Sequence, residues 1–175
     1  MRKKSLQAII NEKVLVSLEK EDFHGIYTFL NPFSYREIRK NECDLSGFSK
    51  IGFDGISMCI VWRLLYGRKI ERTSFDDTSY ARILFEQLNT SGRSLYVIGS
   101  KQAHVEQFVI ELVNKYPGIN IIGSRNGYFH NSEERHESIQ QIIRLKPDFI
   151  IVGMGTVNQE KYLLELKKAG WSGCG

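Results

Sequence analysis

Cysteine is scarce in this sequence and is not arranged for a metal site or a disulfide framework. The three residues, Cys43, Cys59 and Cys174, lie far apart and are odd in number. Zinc sites use closely spaced cysteine and histidine pairs, and small secreted domains carry an even number of cysteines. We therefore expect three reduced thiols in a reducing compartment.

Long apolar runs are also lacking. The sequence has no run of about 20 apolar residues, the length that a bilayer-spanning helix needs. The basic opening MRKKSLQAII has too short an apolar stretch for a secretion signal. We expect the protein to stay in the cytoplasm.

Neither sign of charge forms a long block. The formal net charge is +4, and the basic and acidic residues are interleaved along the chain. This balance disfavours nucleic acid as a partner, and it favours a phosphate-bearing ligand or an anionic membrane surface.

Several catalytic motifs are missing as well. The sequence has no Walker-type phosphate loop, no nucleophile-elbow serine and no glycine fingerprint of a dinucleotide fold. The histidines share no ligand spacing, so we predict no metal site; they are His24, His104, His130 and His136.

The second half of the chain alternates short apolar segments with helical patterns. The segments SLYVIGS, INIIGS and DFIIVGMG are each followed by a segment with helical periodicity, the first from about Gln102 to Tyr116. Parallel strands need such crossovers, so the pattern predicts a parallel sheet covered on both faces. We expect an α/β, Rossmann-like fold with helices flanking the sheet, and a single main domain over residues 1–175.

The first half fits the same fold with less regularity. GIYTFLN and FSKIGF are predicted strands, and PFSYREIRKN is a predicted helix. The segment GISMCIVWRLLYG predicts a helix that is apolar around most of its circumference. Such a helix is typical of the core, and we expect it to be buried there.

Glycines follow the predicted strands at the edge where an open parallel sheet binds ligands. Gly99, Gly123 and Gly153 each stand at the predicted end of a strand. Glycine there lets backbone amides approach an anion such as a diphosphate, although each glycine is equally consistent with a tight turn. Together they favour a nucleotide-like ligand.

Asp54 is the most interesting carboxylate, because it stands between a predicted strand and the apolar helix in GFDGIS. A carboxylate so placed can take a proton from an attacking hydroxyl. An N-terminal helix cap is the alternative reading of the same position. The loop ERTSFDDTS adds Arg72, which can pair with a phosphate, and Asp77, which can accept sugar hydroxyls or cap the next helix; a solvated turn explains it equally.

Five motifs together carry a family resemblance. FDGIS, ERTSFDD, LYVIGS, YPGINIIGSRNGYF and PDFIIVGMGTVNQE occur in the order and approximate spacing of the WecG/TagA/CpsF glycosyltransferases. The chain resembles that family from about Tyr27 onward. The resemblance implies an inverting transferase at the inner face of the cell membrane. It moves a sugar, often N-acetylmannosamine or a relative, from a UDP-sugar to a polyprenyl-diphosphate-linked sugar in surface polysaccharide or teichoic acid synthesis, without a metal.

The resemblance also implies roles for particular residues. Asp54 matches the family's proposed general base, and Arg72 and Asp77 match its Glu-Arg motif and following Asp. The other matched residues are expected to bind substrate; they are Thr28, Asn31, Gln159 and Glu160, with Gly155 allowing the chain to approach the donor.

Two departures from the family qualify this expectation. Val157 and Asn158 stand where the family usually has Pro-Lys, which removes a cation near the phosphates. Family members also continue past the position of Gly175 with a basic and aromatic segment thought to dock on the membrane. We therefore expect a truncated core with little activity and weak membrane association, and self-association is possible.

Two other functions are compatible with the sequence. A nucleotide-binding or regulatory module would keep the sheet and the pocket without transfer. An oxidoreductase that uses a nicotinamide cofactor is disfavoured by the missing glycine fingerprint.

Overall fold

A computed structural model describes residues 4–16 and 23–175. The chain divides into two compact units, Met1–Arg82 and Ile83–Gly175, each built on its own parallel sheet. We call them the first and second unit and describe each by itself.

The first unit holds a two-stranded sheet. Strands β1 (Tyr27–Leu30) and β2 (Lys50–Phe53) pair in parallel, with Leu30 opposite Phe53. Its helices are α1 (Leu6–Lys13), α2 (Pro32–Lys40), a 3-10 helix (Leu45–Gly47) and α3 (Ile56–Tyr66). The helix α4 (Tyr80–Ser91) begins in this unit and crosses its boundary. The core is aliphatic and aromatic, and it includes Ile10, Leu30, Ile38, Leu45, Ile51 and Phe53.

The second unit holds a three-stranded parallel sheet in the order β4-β3-β5. The strands are β3 (Ser94–Gly99), β4 (Asn120–Arg125) and β5 (Phe149–Gly153). They alternate with α5 (Gln102–Lys115), α6 (Ser132–Leu145) and α7 (Asn158–Lys168). Because every strand runs in the same direction, the loops after β3, β4 and β5 all leave from one edge of this sheet.

The predicted α/β class with parallel strands and flanking helices is confirmed. The predicted helices match α2, α3, α5, α6 and α7 to within two residues, whereas α1 and α4 were not predicted. That the whole chain forms a single domain stays a prediction. Among the described residues, no helix is both long and apolar enough to cross a bilayer.

The expectation that α3 is a core helix is wrong. Only Met58, Cys59 and Trp62 on this helix are buried, and Leu64 is 79% exposed. The physical reason is that α3 covers a sheet of only two strands from one side. Such a contact buries one face of a helix, whatever the composition of the other.

Candidate functional site

In the first unit, the carboxyl end of β2 is tied to the loop that precedes α4. Thr73 is fully buried, and its N–H donates to the carbonyl oxygen of Phe53 (3.0 Å). Its hydroxyl accepts the N–H of Phe53 (3.1 Å). Because these two residues are joined, their chain neighbours meet at the edge of the sheet, where Arg72 Nη2 lies 3.3 Å from a carboxylate oxygen of Asp54.

Asp54 does not cap α3. Gly55 occupies the N-cap position, and the helix start has no side-chain cap. Gly55 has a φ of 129°, a backbone angle that residues with a Cβ rarely adopt. The carboxylate of Asp54 therefore stands beside the helix start instead of bonding to it, and its side chain is 41% exposed. This geometry excludes the capping alternative and leaves a carboxylate that a substrate can reach.

Asp76 is the nearer partner of Arg72. Its carboxylate lies 2.8 Å from Arg72 Nη2, the same nitrogen that faces Asp54. It also accepts hydrogen bonds from the hydroxyl of Ser74 and from the N–H and hydroxyl of Thr78. The bonds from Ser74, Thr78 and Arg72 hold the pKa of Asp76 well below its usual range. Asp76 thus orients Arg72, whose Nη1 and Nε make no hydrogen bond within the described chain and are available for a phosphate.

Replacing Asp76 with Asn tests this arrangement through pH. A lowered carboxyl pKa stabilises the folded state above the unfolded pKa of about 3.9, and that stabilisation is lost as pH falls towards the folded pKa. We expect D76N to lower the free energy of unfolding by about 1 kcal/mol at pH 7, since the group is partly exposed. The difference from wild type should shrink below about pH 4. Urea unfolding at pH 7 and pH 3 measures it, and a difference of equal size at both would contradict the assignment.

In the second unit, the loops after β3, β4 and β5 converge. The N–H of Ser100 donates to the carbonyl oxygen of Gly153 (2.8 Å), and the N–H of Gly127 donates to that of Ser100 (3.0 Å). A Cβ on Gly99 would lie 2.6 Å and 2.7 Å from the carbonyl carbon and Cα of Gly153. The two strand ends are therefore packed backbone against backbone.

One helix start at this edge has no side-chain cap. It belongs to α5, whose N-cap is Lys101, whereas the carboxylate of Glu160 accepts the N–H of Val157 at the start of α7. The start of α6 differs, because Asn131 accepts the N–H of Glu134 there (2.8 Å). Uncapped helix starts offer amide groups and a positive dipole end to an anion, and Lys101 adds a full charge.

Glu160 secures the first turn of α7. It is 1% exposed, and one carboxylate oxygen accepts the N–H of Val157 (2.6 Å). The other accepts Nε2 of Gln159 (3.1 Å), whose own backbone N–H donates to Gly155 (3.1 Å). The buried carboxylate of Glu160 orients Gln159, and Gln159 keeps its amide oxygen for a ligand. A direct contact of Glu160 with substrate stays a prediction.

These arrangements can be compared with known proteins. The model of a protein family described as "Glycosyl transferase WecG/TagA/CpsF family" matches residues 5–175. The chain belongs to the WecG/TagA/CpsF family.

Two curated relatives are similar over much of the chain. A UDP-Gal:alpha-D-GlcNAc-diphosphoundecaprenol beta-1,4-galactosyltransferase from Shigella boydii is 37% identical over 150 residues, which cover 86% of this chain and 62% of that protein. An N-acetylglucosaminyldiphosphoundecaprenol N-acetyl-beta-D-mannosaminyltransferase from Bacillus subtilis (strain 168) is 28% identical over 110 residues, covering 63% of this chain and 41% of that protein. The chain thus spans about two fifths to three fifths of these relatives' lengths.

Three further predicted residues have structural contacts of their own, and their roles in substrate binding stay predictions. Thr28 is 3% exposed within β1. Asn31 caps α2, with its side-chain oxygen accepting the N–H of Ser34 (2.9 Å). Gly123 does not end its strand; it lies inside β4, where a Cβ would approach 2.6 Å from the ring of Tyr96. Burial, capping and strand packing account for these three positions.

The remaining predicted residues lie where the sequence placed them. Asp54, Arg72 and Asp77 follow the end of β2 or lie in the loop tied to it. In the second unit, Gly99 and Gly153 end their strands, and a turn containing Gly155 leads to Gln159. Their roles in binding stay predictions.

Sequence reasoning missed Asp76 and Lys101. Asp76 begins the short turn Asp-Asp-Thr, in which an aspartate accepts the N–H two residues later; this turn signature was available in the sequence. Lys101 follows the Gly99-Ser100 strand end and directly precedes α5. The signal in the sequence was a basic residue placed between a predicted strand end and a predicted helix start.

Proposed function

We propose that this chain is the core of an inverting hexosyltransferase. It would move a hexose, N-acetylmannosamine-like or other, from a UDP-sugar to a polyprenyl-diphosphate-linked sugar in surface polysaccharide or teichoic acid synthesis. Family membership supports this proposal, as do the two relatives, whose names both specify sugar transfer to a GlcNAc-diphosphoundecaprenol acceptor. The observation that supports it most is the carboxylate of Asp54, which does not cap α3 and is accessible to a substrate.

In the proposed reaction, Asp54 acts as the general base. It takes the proton from an acceptor hydroxyl while that oxygen attacks the anomeric carbon of the donor sugar. The bond from the anomeric carbon to the diphosphate oxygen breaks, and UDP leaves with the electron pair. One displacement from the opposite side inverts the anomeric centre.

The leaving diphosphate needs positive charge. The uncapped start of α5 and the ammonium of Lys101 are suited to it. Gln159 can both donate to and accept from uracil or sugar oxygens. We propose that no metal takes part. Arg72, held by Asp76, orients Asp54 and leaves two guanidinium nitrogens for a phosphate.

The acceptor determines the proposed location. A polyprenyl diphosphate is anchored in a bilayer, so we propose peripheral contact with the inner face of the cell membrane. Nucleic acid is not a proposed partner, and homo-oligomer formation stays a prediction.

Ligand binding by the 175-residue chain tests the donor assignment. We expect UDP and UDP-N-acetylhexosamines to raise the melting temperature and NAD to leave it unchanged, because the proposed donor is a UDP-sugar and the sequence lacks the glycine fingerprint of a dinucleotide fold. A thermal-shift comparison measures this, and a response confined to NAD would contradict the proposal. A donor panel with polyprenyl-diphosphate-sugar acceptors then separates the transferase from a module that only binds the nucleotide.

A further inference from the structure

Helix α3 presents an apolar face to solvent. Five large apolar side chains on this face are between 47% and 79% exposed; they are Ile56, Ile60, Val61, Leu64 and Leu65. Ile56, Ile60 and Leu64 follow one another at intervals of four residues, as do Val61 and Leu65. This spacing places all five on one side of the helix. We call these five residues the α3 face.

The orientation of α3 is set from its opposite side. Met58, Cys59 and Trp62 are buried, and the ring of Trp62 packs edge-on against Phe53 of β2, with centroids 5.2 Å apart. Turning the helix to bury the α3 face would expose these three side chains. The apolar face is therefore held outward by the core of the first unit.

Basic residues outnumber acidic residues around the α3 face. Residues 54–71 include Arg63, Arg68 and Lys69, and the acidic residues Asp54 and Glu71 stand at the two ends of this segment. All three basic residues are exposed, and Arg68 bonds to the neutral carbonyl of Asn11 (2.7 Å) without an ion pair among the described residues. Within the described residues, neither Arg63 nor Lys69 forms an ion pair. An anionic surface complements this combination of apolar and basic groups.

A second copy of the chain fits this surface less well. A two-fold contact between two α3 faces brings the same three cations from each copy together, and the segment offers only Asp54 and Glu71, at its two ends, to offset them. A bilayer offers an apolar acyl-chain region to the apolar side chains and negatively charged phosphates to the basic ones.

The α3 face begins at the sheet edge that carries the candidate base. Helix α3 starts two residues after Asp54, and the exposed ring of Phe33 follows the end of the paired strand β1 in the same way. The paired strands end side by side, with Leu30 opposite Phe53. Apolar side chains thus follow both strand ends at the edge that carries Asp54.

We propose that α3 is an interfacial helix that seats this edge on an anionic bilayer. The α3 face enters the boundary between headgroups and acyl chains, while Arg63, Arg68 and Lys69 meet lipid phosphates. The proposal rests on the proposed function in one respect, because a lipid-linked acceptor presents its hydroxyl at that surface. It departs from the weak membrane association expected from the sequence, because that expectation considered only the family's basic and aromatic segment past Gly175.

Vesicle co-sedimentation of the 175-residue chain tests the proposal. We expect binding to vesicles that contain phosphatidylglycerol, weaker binding to pure phosphatidylcholine, and a decrease with added salt. The double variant L64E/L65E should weaken binding about tenfold or more. The double variant R63Q/K69Q should weaken it roughly 30-fold, at about one tenfold step per 1.4 kcal/mol.

Helix α5 offers a matched control. Ile110 and Val113 are exposed apolar residues there, at 55% and 41%. The double variant I110E/V113E adds the same charge and should bind vesicles like wild type. Circular dichroism of each variant checks that it is folded.

The outcomes separate the alternatives. Absence of binding to phosphatidylglycerol vesicles, or equal losses in the α3 and α5 variants, overturns the proposal. A dimer in size-exclusion chromatography that L64E/L65E dissociates, without vesicle binding, would show that a second copy covers the face. The vesicles hold neither donor nor acceptor, so D54N should bind them normally; failure of transfer and failure of docking are thus read separately.

Discussion

D54N is expected to lower kcat about 10²- to 10⁴-fold, the usual contribution of a general base. The amide of asparagine keeps the size of the side chain but cannot take the proton from the acceptor hydroxyl. UDP binding should persist, because the substitution leaves the start of α5, Lys101 and the guanidinium of Arg72 in place. Turnover with a UDP-sugar and a polyprenyl-diphosphate-linked acceptor measures the first effect, and a thermal shift with UDP measures the second.

Asp44 provides the matched control for this prediction. It is a true capping aspartate, whose carboxylate accepts the N–H of Ser46 (2.9 Å) at the start of the 3-10 helix. Asparagine caps helices about as well as aspartate, so D44N should leave both turnover and stability close to wild type. Equal turnover in D54N and D44N would show that Asp54 has no part in proton transfer.

G99A is expected to destabilise the second unit by about 3 kcal/mol, close to the upper range for overpacking. The added Cβ would meet the carbonyl carbon and Cα of Gly153 at 2.6 Å and 2.7 Å. These are backbone atoms that cannot rotate away, so β3 and β5 must separate at their paired ends, where Gly99 lies opposite Gly153. Thermal unfolding should show a decrease of roughly 10 °C in melting temperature.

The partner glycine is the control for G99A. A Cβ on Gly153 meets no atom within 4 Å, and Gly153 is exposed at the same edge. We expect G153A to change the melting temperature little. If both alanine variants melted alike, the close approach of the two strand ends would not be the cause of the loss.

Much of the fold could be predicted from local pattern. Alternating apolar segments and helical periods identified β3, β4 and β5 and the helices between them. Strand and helix periodicity can be recognised in a short stretch of sequence, so no distant contact was needed. Helices α1 and α4 went unpredicted. The site edge followed from a general rule about parallel sheets, and that rule correctly placed Gly99 and Gly153 at strand ends.

The candidate site was only partly predictable. The sequence singled out Asp54 and Arg72, but capping and catalysis are alternatives that only the helix start could decide, and the structure puts Gly55 at the cap. It did not identify Asp76 as the partner of Arg72, which the structure shows. Adjacent side chains in a turn point in different directions, and that direction depends on the backbone of the turn.

By itself, the sequence determined the α/β class, the order of most elements and two charged residues of the first unit's site edge, Asp54 and Arg72. The tertiary structure decided which face of α3 is exposed, that Glu160 is buried under the first turn of α7, and that Thr73 brings Arg72 to Asp54. The reason is the sequence separation over which each kind of interaction acts. Periodicity and turn chemistry act between near neighbours, whereas burial and ion pairing depend on segments that meet only after the chain has folded.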